Sequence, residues 1–216
     1  MVTGTTRGAD AEGVDSVDTV ADRGYTSGCM ASAPLISSRL TAEQFAERYH
    51  DANGYELVRG ELIELPPAGM GHSGSNAQVC ILVGAWAKST GLGRVFVGEA
   101  ALITERDPDT LRGADLAYYS YERLPKGKRR FGYSTVPPEL IVEIVGERGD
   151  WKRALKKVGE YLSMGVDRVW LLDAEAESVR VVRPNGPPIE LAGDDELRDE
   201  VILPGFSCRV SELFAD

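Results

Sequence analysis

The first regular feature along the chain is an alternation of apolar and polar residues over positions 55–65. It is centred on an Arg-Gly pair, and such alternation on both sides of a glycine-containing turn is typical of a β-hairpin with one buried face. Ahead of it, Thr41 begins a Thr-Ala-Glu-Gln capping box, which can satisfy the first free amides of a helix, and Phe45 and Tyr49 follow one turn apart. We therefore predict a short helix over about 41–50 and a hairpin after it.

The pattern then changes to the three-to-four-residue period of a helix. Apolar residues that share one helical face recur at Val79, Leu82, Val83 and Trp86. This spacing predicts an amphipathic helix over about 73–90, and Gly91 supplies a C-terminal stop. Two strands are expected after it, at about 94–104 and 114–120.

A nearly continuous apolar run at 139–145 is typical of a strand covered on both faces, and we expect it to be the central strand. A helical pattern over about 150–164 follows and ends at Gly165, and 167–173 again has the pattern of a buried strand. Strand, helix and strand in this order imply a right-handed crossover and a parallel pair. The pattern therefore indicates a mixed α/β fold.

The two ends of the chain differ in character. Residues 1–38 are rich in Gly, Ser, Thr, Ala and Asp without an apolar period, so ordering them would cost more entropy than burial returns. We expect a disordered tail there and one folded domain over 39–216. Near the C-terminus we predict a hairpin around the Pro-Asn-Gly at 184–186, an acidic loop over 194–200 and a closing segment over 201–214.

Composition narrows the class of protein. A chain of 216 residues with 43% apolar residues can bury one substantial core. No apolar run approaches the roughly 18 to 20 residues that cross a bilayer, and no secretory pattern opens the chain, so we expect a soluble, cytoplasmic protein without a membrane partner. The three cysteines are scattered and lack the close pairs of zinc or redox motifs.

Charge is unevenly distributed along the chain. The net charge of −10 argues against indiscriminate binding to a polyanion. Over 122–157, however, ten basic residues outnumber five acidic ones, which gives this segment a charge of +5. An acidic protein therefore carries one basic region.

Two acids stand out because charged side chains rarely occur inside apolar strands without compensation. Asp115 opens the run Leu-Ala-Tyr-Tyr, and Glu143 interrupts Leu-Ile-Val-Glu-Ile-Val. If their strands are neighbours, the two carboxylates can meet and hold Mg²⁺, which takes one or two carboxylates, waters and phosphate oxygens. The alternatives are that Asp115 caps a turn and that Glu143 forms a buried ion pair with an arginine.

Two further residues are candidates for the same site. Lys157 is adjacent to the stripe of Leu155, Val158 and Leu162 that we predict to be buried, so its ammonium could reach the sheet and orient water or stabilise charge on the transition state. Glu56, on the hairpin, could complete the metal shell. The alternatives are a solvated helix position for the lysine and a glutamate that faces water.

Accessory roles are open for a histidine and a basic loop. His72 lies just before the predicted helix and either caps or packs against it, or positions water or contacts phosphate. The stretch 126–130, which includes Arg130, would be a solvated loop by default. Next to a site that handles phosphate, it would clamp the backbone of a nucleic acid.

A series of motifs resembles a known family. In chain order the motifs are Tyr-Glu-Leu-Val-Arg-Gly-Glu-Leu-Ile-Glu at 55–64, Pro-Pro-Ala-Gly at 66–69 near His72, Arg-Gly-Ala-Asp-Leu-Ala at 112–117, Pro-Glu-Leu-Ile-Val-Glu-Ile-Val at 138–145, and Lys-Val-Gly-Glu-Tyr-Leu at 157–162 followed by Gly-Val-Asp-Arg-Val-Trp-Leu-Leu-Asp at 165–173. The series resembles the Uma-two family of restriction-endonuclease-like proteins, over about residues 40–214. That family is placed in the PD-(D/E)XK nuclease superfamily.

The resemblance implies a restriction-endonuclease-like fold, with a central mixed sheet flanked by helices. It also implies an endonuclease that uses Mg²⁺ or Mn²⁺ and acts on nucleic acid, expected to be DNA. Such proteins often form homodimers. Asp115 matches the first motif acid and Glu143 the second. The superfamily's usual lysine position, two residues after the second acid, holds Val145 here. The family places a lysine on the next helix instead, and Lys157 occupies that position.

The chain departs from the family pattern in three places. Ala114 stands where proline is common, Gly146-Glu147 stands where Ser-Pro is common, and Arg59 replaces an acidic residue of the hairpin turn. None of these changes removes a proposed ligand, so hydrolysis of a phosphodiester is our working hypothesis. The contrasting hypothesis is a catalytically inactive protein of the same fold that binds nucleic acid or a protein partner. The acidic charge and the lack of a recognisable DNA-reading module favour it.

Overall fold

The computed structural model describes residues 39–49, 54–127, 132–146 and 151–215. The predicted tail over 1–38 lies outside these residues. In the described part there are three α-helices: α1 (Ala42–Tyr49), α2 (Met70–Thr90) and α3 (Trp151–Met164). The strands are β1 (Tyr55–Val58), β2 (Glu61–Glu64), β3 (Gly93–Glu105), β4 (Thr110–Ser120), β5 (Leu140–Val145), β6 (Arg168–Asp173), β7 (Ser178–Val182), β8 (Ile189–Ala192), β9 (Glu196–Arg198) and β10 (Ser207–Arg209). A 3₁₀ turn, Val210–Leu213, follows the last strand.

Eight strands form one mixed sheet in the order β2-β1-β4-β5-β6-β7-β8, with β3 paired to β4. β5 and β6 are parallel, with Leu140 opposite Arg168, whereas β4 and β5 are antiparallel. α3 connects the parallel pair, as the sequence predicts. β5 lies in the middle of the order and all six of its residues are buried. The predicted central strand and the mixed sheet flanked by helices are therefore confirmed.

Local chemistry explains the first helix and the hairpin. Gln44 N donates to Thr41 Oγ1 at 3.2 Å and Thr41 N donates to Gln44 Oε1 at 3.0 Å, so the predicted capping box is formed. The hairpin turn falls on Arg59 and Gly60, whose φ values of 50° and 82° are the left-handed values that tight two-residue hairpin turns require. A Cβ on Gly60 would lie 2.4 Å from Arg39 Cβ, so space as well as backbone conformation demands glycine.

Helices cover the sheet on both faces. On one face, α2 and the C-terminal segment share a core that contains Trp86, Trp170 and Phe206. On the other face, α3 contributes Val158 and Tyr161 to a smaller core. Within the described ranges, no helix is long and apolar enough to cross a bilayer.

Three features differ from the sequence expectations. The acidic stretch 194–200 contains β9, so the loop prediction was wrong there; Leu197, 1% exposed between exposed neighbours, anchors this strand. α2 begins at Met70, before the predicted start at about 73. The prediction missed the first turn because its Gly- and Ser-rich residues carry no apolar period. β4 begins at Thr110, before the predicted start at about 114. The prediction missed the first residues of the strand because they include polar side chains, which are nevertheless buried.

Candidate active site in a split of the sheet

The candidate site lies where β4 changes partners. Along one edge β4 pairs with β3, and along the other edge it pairs first with β1, where Leu57 is opposite Leu111. It pairs with β5 only from Leu116 opposite Val142 onward. Over 112–115, no described strand pairs with this edge of β4. We call this interval the gap, and side chains from neighbouring elements reach its backbone groups.

Lys157 reaches the gap from α3. Its Nζ donates to the Gly113 carbonyl oxygen at 2.8 Å and to Glu143 Oε2 at 2.7 Å, and it lies 3.2 Å from Glu56 Oε1. Burial opposes the charge, but the carboxylates of Glu143 and Glu56 raise the pKa of Lys157 above its ordinary value. The lysine is therefore a buried cation in contact with two of the predicted acids, and not a solvated helix residue.

The buried stripe of α3 differs from the predicted one. Leu155, expected to be buried, is 47% exposed. Val158 is buried as predicted and Leu162 is half-buried, and the four buried residues of α3 are Lys157, Val158, Glu160 and Tyr161. Three of these four are polar, because the gap supplies charged partners that compensate their desolvation. A prediction from the spacing of apolar residues cannot detect a helix face that is buried and polar.

Glu143 lies on β5 and both of its carboxylate oxygens are engaged. Oε2 accepts the bond from Lys157, and Oε1 accepts one from Tyr161 Oη at 2.6 Å. Burial above all, with the Asp115 carboxylate adding to it, raises the pKa of Glu143 to about 7 against the opposing attraction of Lys157. A buried carboxylate beside a like charge is in the condition that a bound cation relieves.

Asp115 closes the gap on β4. Its Oδ2 accepts a bond from the backbone N–H of Ile144 at 2.7 Å, directly after Glu143, at a point where the β4–β5 ladder has already ended. The same oxygen lies 3.3 Å from His72 Nε2. The structure therefore brings Asp115, Glu143 and Lys157 to one gap, as the sequence predicts.

His72 stands in the first turn of α2, close to where the sequence places it. The hydrogen bond with Asp115 is the largest cause that raises the pKa of His72, against the effect of burial. Its Nδ1 atom is buried and has no hydrogen-bond partner among the described residues. The His72 side chain lies beside Gly146, since a Cβ there would be 3.5 Å from His72 Cβ. His72 thus both packs at the helix start and faces a site acid.

Glu56 is held by two cations. Its Oε2 accepts a bond from Arg112 Nη1 at 2.7 Å, and its Oε1 accepts one from Gly113 N at 3.3 Å while facing Lys157. Burial opposes ionisation, but Lys157 and Arg112 lower the pKa of Glu56. Over the described part of the chain, no three His, Cys, Asp or Glu side chains converge as a ready-made metal site.

Sequence reasoning missed Glu99, a carboxylate that a bulge brings to the gap. β3 loses register with β4 between residues 97 and 100, and Glu99 adopts a φ of 61° within this bulge. A Cβ on Gly113 would lie 2.1 Å from Glu99 Oε2, so the carboxyl group rests on that glycine. Glu99 is exposed as a whole, but desolvation of its carboxyl group, together with the Asp115 carboxylate, raises its pKa. Gly98, a glycine inside a predicted strand, is the signal that could have indicated the bulge.

Three other residues of the gap were also missed. Glu160 and Tyr161 follow Lys157 at helical spacings of three and four, which place them on its face, and this spacing could have indicated them. Arg112 precedes the first site acid by three residues in the Arg-Gly-Ala-Asp motif. Arg130, predicted as an accessory phosphate contact, lies outside the described residues.

Comparisons with known proteins agree with the fold. A crystal structure of a "putative nuclease belonging to DUF820" from Anabaena variabilis ATCC 29413 is similar with a TM-score of 0.68 at 18% sequence identity, over 81% of this chain and 97% of that one. No curated protein matches the chain. The profile of the family Uma2, described as "Putative restriction endonuclease", matches residues 42–211. Because this match spans most of the sequence, the chain belongs to the Uma2 family and has its nuclease-like fold.

Proposed function

We propose that the chain is a divalent-metal-dependent endonuclease that hydrolyses phosphodiester bonds of nucleic acid, with DNA as the expected substrate. The charge balance of the gap carries this proposal. Two buried permanent cations, Lys157 and Arg112, meet a larger number of acids there, and the exposed Lys156 adds a 4.0 Å contact to Glu160. Four of the five carboxylates are buried, Glu56, Asp115, Glu143 and Glu160, and the fifth, Glu99, is an exposed residue whose carboxyl group rests on Gly113. Excess negative charge in a buried place is costly unless another cation compensates it.

The donor set suits a hard divalent ion. Asp115 and Glu143 would hold Mg²⁺ or Mn²⁺, since Mg²⁺ takes one or two carboxylates and fills its other positions with waters and phosphate oxygens. When bound, the metal would polarise the phosphoryl oxygen and lower the pKa of a coordinated water. Glu56 would support the same site, and its contacts with Lys157 and Arg112 favour a role in holding the lysine over one in holding the metal.

The protein's own groups then act as fixed charges around the reacting phosphate. Lys157 presents a permanent ammonium that neutralises charge developing on the phosphoryl oxygens or orients the attacking water. Tyr161 holds the Glu143 carboxylate in one orientation through its hydroxyl group. His72, against Asp115, stands where it can contact a phosphate or a water at the mouth of the site. The basic loop that includes Arg130 would contact the substrate backbone.

The test is a cleavage assay with the purified full chain. Plasmid and single-stranded DNA are incubated with Mg²⁺, with Mn²⁺ and with EDTA, for wild type, Asp115→Asn, Glu143→Gln and Lys157→Met. Glu139→Gln is the matched control, because Glu139 is a buried glutamate next to β5 that binds Ser120 outside the gap. We expect metal-dependent cleavage by wild type and Glu139→Gln, and rates lower by on the order of 10²-fold or more in the three gap variants.

Cleavage that persists in Asp115→Asn and Glu143→Gln would come from a contaminant and would contradict the proposal. One observation favours a second function: the net charge of −10 suits a catalytically inactive nuclease fold that serves as a binding module for nucleic acid or a protein partner. Binding of DNA without cleavage in either metal would support that function. Absence of both binding and cleavage would support a protein-interaction role.

A further inference from the structure

A chain of alternating charges runs through the gap. It leads from Glu160 to Arg112, from Arg112 to Glu56, and from Glu56 to Lys157, with N···O distances of 2.6, 2.7 and 3.2 Å. Lys157 then contacts Glu143 at 2.7 Å. Each of these residues is at most 9% exposed. Because dielectric screening is weak in a buried place, the loss of one of these contacts should disturb the neighbouring ones.

Arg112 is the branch point of this chain. Its Nε and Nη2 donate to the two oxygens of Glu160 at 2.6 and 2.8 Å, a two-pronged contact that only a planar guanidinium makes. Its remaining terminal nitrogen, Nη1, donates to Glu56 Oε2. One side chain therefore fastens a helix residue and a hairpin residue at once.

The contact with Arg112 decides which way Glu56 faces. With Oε2 held by Arg112, the other oxygen, Oε1, points to Lys157 Nζ and to Gly113 N. Glu160 lies one helical turn after Lys157, so the contact between Arg112 and Glu160 also fixes how far α3 reaches over β4. Both ends of the arginine thus constrain the same lysine.

We propose that Arg112 is a positioning residue for Lys157: through Glu56 and Glu160 it keeps the lysine ammonium within hydrogen-bond distance of Glu143 and the Gly113 carbonyl group. The inference deepens the proposed function and rests on it for the effect on cleavage. The arrangement of Lys157 itself can be measured whether or not the chain cleaves DNA.

The experiment uses full-length, metal-free protein labelled with ¹³C at the lysine ε-carbon. The chain has six lysines, and Lys157→Arg identifies the Lys157 signal. The variants are Arg112→Lys, which keeps the charge and loses the planar fork, and Glu160→Gln, which keeps the arginine and weakens its anchor. Arg123→Lys is the matched control, because Arg123 also joins two carboxylates, Glu139 and Asp167, away from the gap.

We expect the Lys157 signal to move or broaden in both Arg112→Lys and Glu160→Gln and to stay in place in Arg123→Lys. If one variant fails to fold, the other decides. A Lys157 signal that is unchanged in a folded variant of either kind would overturn the proposal.

Cleavage kinetics supply the second readout. Misplacing the ammonium should lower kcat by on the order of 10²-fold in Arg112→Lys, while KM for DNA stays close to that of wild type. A rise in KM alone would overturn the positioning role, since it would make Arg112 a substrate-binding residue. If wild type does not cleave and the Lys157 signal still moves as expected, the proposed function fails and the positioning role stands.

Discussion

Glu56 is the residue whose surroundings say most about how the gap is stabilised. It is 1% exposed, and its two oxygens contact Arg112, Lys157 and a backbone amide. An ionised carboxylate in such a place stabilises the fold only while both cations face it. Its contribution to stability should therefore depend on pH.

The first prediction concerns Glu56→Gln in the metal-free protein. The pKa of Glu56 is lowered in the folded chain, so its contribution is fully present above the ordinary value of 4.5 and is lost as pH falls through the folded value. At neutral pH the variant should lose about 3 kcal/mol of unfolding free energy, since two buried cations lose a charged partner. Urea unfolding between neutral and acidic pH measures the difference, which should narrow as the solution becomes acidic.

Glu61→Gln on the exposed part of the same hairpin is the control for this prediction, because Glu61 is exposed. It should change the unfolding free energy little at any pH. A loss in Glu56→Gln that stays constant from neutral to acidic pH would contradict the role of Glu56 as an ionised partner of the two cations.

Individual residues of the site were predictable to different degrees. Asp115 and Glu143 could be singled out because a charge inside an apolar strand is visible in the sequence. The partners of Glu56 could not, because they depend on which strands leave β4 unpaired over 112–115. Glu99 was hidden for a similar reason, since a bulge brings it to the gap.

At the scale of elements, the sequence predicted best where local chemistry decides. The hairpin and α1 follow from a turn pair and a capping box, and the crossover of β5, α3 and β6 follows from apolar runs on either side of a helix. α3 shows the limit: its period placed Leu155 inside, whereas the buried face carries a lysine, a glutamate and a tyrosine. That inversion depends on charges supplied by other elements.

The second prediction concerns the start of α1. Thr41→Ala removes the hydroxyl group that accepts the bond from Gln44 N and should cost about 1 kcal/mol of unfolding free energy. Thr41→Ser, which keeps the hydroxyl group, should cost much less. The cost stays moderate because Asp109 Oδ2 accepts a bond from the next free amide, Ala42 N, at 2.7 Å. Equal losses in the two variants, measured by urea unfolding, would show that the capping bond does not stabilise the helix.

For the whole molecule, charge is the property to consider. A chain with a net charge of −10 must approach a polyanion through its basic region, and that region, 122–157, begins just after the Asp115 strand and includes Glu143 and Lys157. Association with DNA should consequently weaken steeply as salt is added. In the proposed reaction, the acids of the gap require a cation before a phosphate can come near.

The third prediction links metal binding to global stability. A cation that binds only the folded chain raises the free energy of unfolding by about 2.7 kcal/mol at a hundred times its dissociation constant. Thermal melting with Mg²⁺, against NaCl of equal ionic strength, should show this stabilisation in wild type. Asp115→Asn should show far less of it. An equal shift in both proteins would mean that the ion acts elsewhere or through ionic strength alone.

The unpaired stretch of β4 affects which residues the relatives of this chain are expected to conserve. The Gly113 amide is met by the Glu56 side chain and its carbonyl group by Lys157, so these two side chains act as a substitute for a missing strand. Replacing either of them strips a hydrogen bond from the middle of the sheet. A relative without the proposed activity would still be under selection to retain them, because the fold needs them. Retention of Lys157 and Glu56 in a relative therefore reports an intact sheet, and retention of Asp115, which accepts the Ile144 amide in the same way, reports no more than that.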